Sequence, residues 1–181
     1  ALAEIGDKTQ LLAFILAARF KKPVPIILGI LVATLVNHGL AGALGAWITS
    51  TITPQVLRWV LGLSFIGMAI WTLIPDKIED EETQIAARFG VFGATLITFF
   101  LAEMGDKTQI ATIAMAAHYA APLLVVIGTT LGMLIADVPA VFVGDKLANK
   151  IPMKLVHSIA AAIFAVLGVM TLLGAGARFG V

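Results

Sequence analysis

The sequence predicts an all-α integral membrane protein whose six transmembrane helices form two inverted three-helix repeats, and three observations lead there. Mean hydropathy is +1.01 and charged residues make up only 13% of the 181 residues, a composition outside the range of soluble globular chains. Apolar runs of roughly 20 residues, long enough to cross a hydrocarbon core as helix, are separated by short clusters of charge and proline. A nonapeptide, LAEIGDKTQ at 2–10, returns as LAEMGDKTQ at 101–109. The apolar runs show no period-two alternation, which argues against a membrane β-barrel.

The punctuation falls at RFKKPVP (19–25), TITPQ (51–55), PDKIEDEETQIAAR (75–88), HYAAP (118–122) and DKLANKIPMK (145–154). It leaves membrane segments at 1–19, 24–49, 56–74, 89–118, 123–144 and 154–174. The first segment opens on the motif with three residues ahead of Glu4, whereas the fourth has fourteen residues, 89–102, ahead of Glu103. By symmetry the natural chain is expected to begin about ten residues earlier, and no basic stretch with a small-residue cleavage site marks a removable signal peptide. The second segment holds Asn37 and His38, and the third runs into a linker that carries five acids and reads as a solvated tether. The fourth holds the second motif, and the fifth holds Asp137 beside Pro139, in register with His38. The sixth matches the third at Phe164 with Phe65 and Thr171 with Thr72.

One offset of 99 residues relates both motifs and also pairs Pro23 with Pro122, Gly29 with Gly128 and Gly45 with Gly144. The chain thus divides into a first repeat (1–74), an acidic cytoplasmic linker (75–88) and a second repeat (89–181). Three crossings per copy force the second copy to enter the membrane from the opposite side, which is a common transporter plan. Loops one, three and five carry Arg19, Lys21, Lys22, Lys77, Arg88, Lys146, Lys150 and Lys154, against Arg58 and Arg178 on the other face. Positive-inside places those three loops in the cytoplasm. Without cysteine there is neither a disulfide nor a thiolate metal site, and a net charge of +1 gives nucleic acid no hold. The lipid bilayer is the expected partner, no resident cofactor is expected, and association of several copies stays open.

An acid at the centre of a membrane helix costs on the order of 2.5 to 3.5 kcal/mol, so Glu4, Asp7, Glu103 and Asp106 are expected to face one another, water or a cation. On a continuous helix, each Glu–Asp pair lies about 60° apart on one face, with Lys8 and Lys107 on the same side. Inverted symmetry brings the two sets together into an all-oxygen site, which suits calcium, magnesium or manganese rather than zinc or copper. Thr9, Gln10, Thr108, Gln109 and Asp137 are candidates for further ligands or for support around them. Each motif sums to minus one with its lysine charged, so one divalent ion or two protons balance the pair. Alternate occupancy by metal and protons is the chemistry of a cation/proton antiporter. Lys8 and Lys107 read as charge partners or proton-coupling groups, and the competing structural reading is a pair of i,i+4 locks, Glu4 with Lys8 and Glu103 with Lys107.

The doubled E-x-G-D-K-T, the three helices per copy and the acidic linker resemble the small cation exchanger family that includes Golgi calcium/manganese–proton antiporters and bacterial manganese exporters. The resemblance spans nearly the whole chain. It implies manganese export, with calcium as the alternative, through Glu4, Asp7, Glu103 and Asp106, and the compact loops resemble a bacterial, inner-membrane member. Met104 offers a thioether, with packing as its simpler role. Asp137 reads as ligand, support or proton relay, and His38 as a helix–helix hydrogen bond or a titrating group. His118 and His157 are expected at interfaces, and Asp145 in a surface pair with Lys146. The glycines at 29, 39, 45, 128, 132 and 144 read as close-packing contacts and Trp47, Trp59 and Trp71 as interface anchors. An intramembrane aspartyl protease is disfavoured because Glu103 stands where G-x-G-D needs glycine, so no enzyme is expected. A passive channel is disfavoured because the ionisable groups concentrate at one depth.

Overall fold

A computed structural model describes residues 7–74, 89–143 and 153–174. The linker at 75–88, Glu4, Asp145, Lys146 and the far C-terminus lie outside the described residues, as does the expected extension of the first helix. Seven helices and no strand occur among the described residues. They are α1 (Lys8–Phe20), α2 (Pro23–Thr51), α3 (Pro54–Thr72), α4 (Gly90–Glu103), α5 (Lys107–Tyr119), α6 (Pro122–Val143) and α7 (Met153–Leu172). Pro23–Thr51, Pro54–Thr72 and Pro122–Phe142 are long and apolar enough to cross a membrane, and Gly90–Glu103 is a shorter apolar helix.

Proline starts α2, α3 and α6, where the missing N–H belongs to the first helical turn and costs nothing. α1 stops at Lys21 and α5 at Ala120, both in the left-handed region (φ 52° and 49°). Those two positions are 99 residues apart, as are the starts of α1 and α5, of α2 and α6, and of α3 and α7. The sequence repeat therefore extends to helix boundaries and to the backbone conformation of a turn.

The helices enclose two apolar clusters. One joins Leu12, Phe14 and Leu16 of α1 to Ile26 and Ile30 of α2, Phe99 of α4 and Val141 of α6. The other joins Leu61, Phe65 and Met68 of α3 to Ala111, Ala114 and Ala117 of α5 and Phe164 of α7. α2 packs on α4, α5 and α6, and two of its glycines set the spacing. A Cβ at Gly29 would lie 2.7 Å from Thr95 Cβ, and one at Gly45 would lie 2.6 Å from the Ile113 carbonyl oxygen. Gly39 and Gly128, expected in the same role, meet nothing within 4 Å, so Gly128 does not share the close contact of its register partner Gly29. Trp47 and Trp59 are exposed, as anchors should be, whereas Trp71 packs against the second cluster.

Candidate cation site

The expected fourth segment is broken. α4 ends at Glu103 and α5 begins at Lys107, so the motif spans a gap between two helices instead of lying along one. Gly105 adopts φ +73°, open to glycine and strained for other residues, and Asp106 is then extended (φ −78°, ψ 165°) at the position just ahead of α5. The Gly105 N–H donates to Gln109 Oε1 at 2.8 Å, so a side chain from the next turn holds the break. In the first motif Asp7 takes the same conformation (φ −79°, ψ 169°), and its Oδ1 accepts the Lys8 N–H at 3.0 Å. The expectation that Glu103 and Asp106 share a helical face is thereby corrected: Gly105 at positive φ and an extended Asp106 put the two acids on either side of a break, which the helix pattern alone hides.

Lys107 Nζ lies 3.4 Å from Asp7 Oδ1 and Lys8 Nζ lies 3.7 Å from Asp106 Oδ1, so each lysine pairs with the aspartate of the other motif. Because Lys107 follows the break, its side chain leaves the direction that an unbroken helix would give it and reaches across to α1. Asp7, Asp106 and Lys107 are buried, and Lys8 is partly exposed. Lys107 Nζ also donates to the Ile74 carbonyl at 3.5 Å, which ties the end of the third segment to the same cluster.

Glu103 closes α4 and is fully buried. Its Oε2 lies 3.8 Å from His38 Nε2 on α2, and among the described residues its carboxylate accepts no hydrogen bond. A helix C-terminus carries partial negative charge, so this carboxylate stands where a cation is favoured twice over. Burial of such a group is costly unless a cation or a proton joins it.

Asn37, next to His38, emerges as a residue to which the sequence pattern assigns no role. Its Nδ2 donates to the Phe100 carbonyl at 3.1 Å, one turn before the break, and its Oδ1 accepts from Gln109 Nε2 at 3.4 Å. An amide in the middle of a membrane-length helix was the available signal, since such groups turn toward other helices rather than toward lipid. Gln10, the counterpart of Gln109, donates to the Ala136 carbonyl of α6 at 3.0 Å. Residues 37 and 136 are again 99 apart, so both glutamines reach the same register of the opposite half.

The remaining candidates fall nearby or elsewhere. Thr9, Thr108 and Asp137 are buried, and Pro139 within α6 leaves the Ile135 carbonyl without its usual donor. Met104 is exposed at the break. His118 stacks edge-on against Phe65 with centroids 6.0 Å apart. Glu4 and Asp145 lie outside the described residues, as does the side chain of His157. Among the described residues no three His, Asp or Glu side chains gather as a finished ion cage. Those residues do cross-pair two aspartates with two ammonium groups from opposite halves, and each motif glutamine donates a hydrogen bond to the opposite half.

Comparison with known proteins adds an independent line. The family described as "Divalent cation/proton antiporter GDT1" matches residues 1–80 and 91–178. A Vibrio cholerae protein named "Putative manganese exporter" is 52% identical over 172 residues, covering 94% of this chain and 85% of that protein. "GDT1-like protein 3" of Oryza sativa subsp. indica is 32% identical over 189 residues, covering 90% of this chain and 67% of that protein. "GDT1-like protein 5" of Arabidopsis thaliana is 28% identical over 209 residues, with 95% and 91% covered. No solved structure matches the chain.

Proposed function

The chain belongs to the GDT1 family of divalent cation/proton antiporters, a membrane transporter family rather than a family of enzymes, and on that premise we propose that it exports manganese from the cytoplasm in exchange for protons. The observation that carries the proposal is the crossed pairing of Lys8 with Asp106 and of Lys107 with Asp7, which puts the two copies of the acidic motif against each other. In this reading Asp7, Glu103 and Asp106, with Glu4, are the carboxylates that receive the ion. Thr9, Gln10, Thr108, Gln109 and Asp137 surround them with oxygen donors and hydrogen bonds. Oxygen ligands favour a hard divalent ion, and the name of the Vibrio cholerae relative favours manganese among them.

We read α1, α2, α3, the α4–α5 pair, α6 and α7 as six crossings in two inverted units, joined by the acidic linker at 75–88. The break between α4 and α5 supports this, since interrupted helices near the midplane are how transporters offer backbone and carboxylate groups to an ion. Positive-inside would keep loops one, three and five in the cytoplasm, and the bacterial relative favours an inner membrane.

Vesicles containing the purified chain and a manganese-sensitive dye test the proposal. Manganese uptake should rise with an opposing proton gradient and collapse when a protonophore dissipates it. A manganese flux indifferent to the gradient would overturn the antiport, and faster carriage of calcium than of manganese would move the cargo to calcium.

A further inference from the structure

Most threonines in these helices turn their hydroxyls back on their own backbone. At Thr72, Thr95, Thr98, Thr112 and Thr171 the hydroxyl donates to the carbonyl four residues earlier, at 2.7 to 2.8 Å. Thr34 of α2 does not. It is fully buried, and among the described residues its Oγ1 has no hydrogen-bond partner. Four residues of helix make one turn, so Thr34 stands about 40° around and about 6 Å along α2 from His38. His38 Nε2 in turn lies 3.8 Å from Glu103 Oε2. The seam between α2 and α4 is fixed on both sides of Thr34, since Gly29 closes on Thr95 before it and Asn37 donates to the Phe100 carbonyl after it. Thr130 of α6 is also buried without a partner, but it lies two turns from Asp137, whereas Thr34 lies one turn from the residue that touches Glu103.

Two fully buried polar groups on packed helices therefore make no hydrogen bond: the Thr34 hydroxyl and the Glu103 carboxylate, with His38 one turn from the first and beside the second. Either is costly in that condition, and a cation between them relieves both. We infer that Thr34 is a further ligand of the transported ion, offering its hydroxyl oxygen from α2 to the cation that Glu103 holds at the end of α4. This rests on Glu103 being one of the carboxylates of the ion site proposed above. A hydroxyl oxygen carries lone pairs and no charge, so it adds a donor suited to a hard divalent ion without adding another anion to the interior. Because Thr34 forgoes the Ile30 carbonyl, that oxygen is already free to ligate. It extends the site along the seam toward the start of α2.

Manganese binding to the detergent-purified full chain, followed by the electron paramagnetic resonance signal of free manganese, tests the inference without any proton gradient. Thr34→Val keeps the shape and should weaken manganese affinity about tenfold, the low end for groups that support a metal site. Its melting temperature in metal-free buffer should hold or rise, because a buried hydroxyl without a partner gives way to a methyl group. Thr34→Ser should bring the affinity back to the wild-type value. Thr98→Val should leave it unchanged, since that hydroxyl is engaged by the Ala94 and Thr95 carbonyls. Should Thr34→Val fail to give a monodisperse protein, Thr34→Ala carries the same expectation. Wild-type affinity in Thr34→Val overturns the inference, as does a Thr34→Ser variant as weak as Thr34→Val, which would make the side chain's shape the cause. Affinity lost in Glu103→Gln but kept in Thr34→Val removes Thr34 alone, whereas affinity kept in both removes the carboxylate site as well. Wild-type protein that leaves the free-manganese signal unchanged overturns both.

Discussion

The two halves of the molecule share a frame and differ in what they aim at it. Asp7 and Asp106 have matching backbone angles, their lysines exchange partners, and Gln10 and Gln109 reach the same register of the opposite half. At that register the first half presents Asn37 and His38, whereas the second presents Ala136 and Asp137. Glu103 thus faces an imidazole, and a carboxylate stands at the equivalent place of the other half. Duplication preserved what positions the two aspartates and let the side chains at this register diverge. A transporter that must release its ion to one side gains from that inequality, because two identical half-sites would hold ion and protons equally well.

The hardest test of this contrast is Glu103→Gln. It keeps the shape, removes one charge from the half that faces His38, and should lower manganese flux by more than about 100-fold, as expected for a ligand rather than a supporting group. The melting temperature in detergent should stay level or rise, since a buried carboxylate without hydrogen bonds is replaced by a neutral amide. Retained flux would remove Glu103 from the site.

Exchanging the divergent pair comes next. His38→Asp alone sets a second carboxylate near Glu103 and should cost about tenfold in flux, the lower range for groups that tune an ion site. Adding Asp137→His to that variant restores the original inventory on swapped sides, and flux should recover at least partly. A double variant no better than the single one would mean that the halves are not interchangeable frames.

Gly105→Ala addresses the shared frame instead. Nothing lies within 4 Å of the added Cβ, so the cost is conformational and arises from φ +73°. It should amount to about 1–2 kcal/mol, readable as a lowered melting temperature. No change would mean that the break tolerates a different backbone.

Much of this arrangement was legible in the sequence, and the exceptions have physical causes. The constant offset of 99 located every helix pair, because boundary prolines and motif positions are local features that duplication copies intact. The gathering of Asp7 and Asp106 followed from the cost of acids in lipid. The break at Gly105 did not follow, since an apolar run with a single glycine also fits a continuous helix, and only the backbone angles of Gly105 and Asp106 decide between them. The crossed partners of the two lysines were not legible, since which helix a long side chain reaches depends on tertiary packing that helical periodicity does not carry. The role of Asn37 was hidden because its partners, the Phe100 carbonyl and Gln109, lie 63 and 72 residues away.

Asn37→Ala gives the smallest expected effect and the finest reading of the comparison. It makes the first half resemble the second, where Ala136 already offers only its backbone carbonyl and Gln10 accepts that arrangement. Gln109 should then turn to the carbonyl of residue 37, so that one of two hydrogen bonds is recovered. The strap from Asn37 to the Phe100 carbonyl is lost outright. Net stability should fall by about 0.5–1.5 kcal/mol, the usual worth of one such bond, and flux by only a few-fold. The reciprocal Ala136→Asn should be close to neutral where the amide finds room. A loss in Asn37→Ala as large as that in Glu103→Gln would put the Asn37 oxygen on the ion itself, and the inequality between the halves would then extend to the ligands.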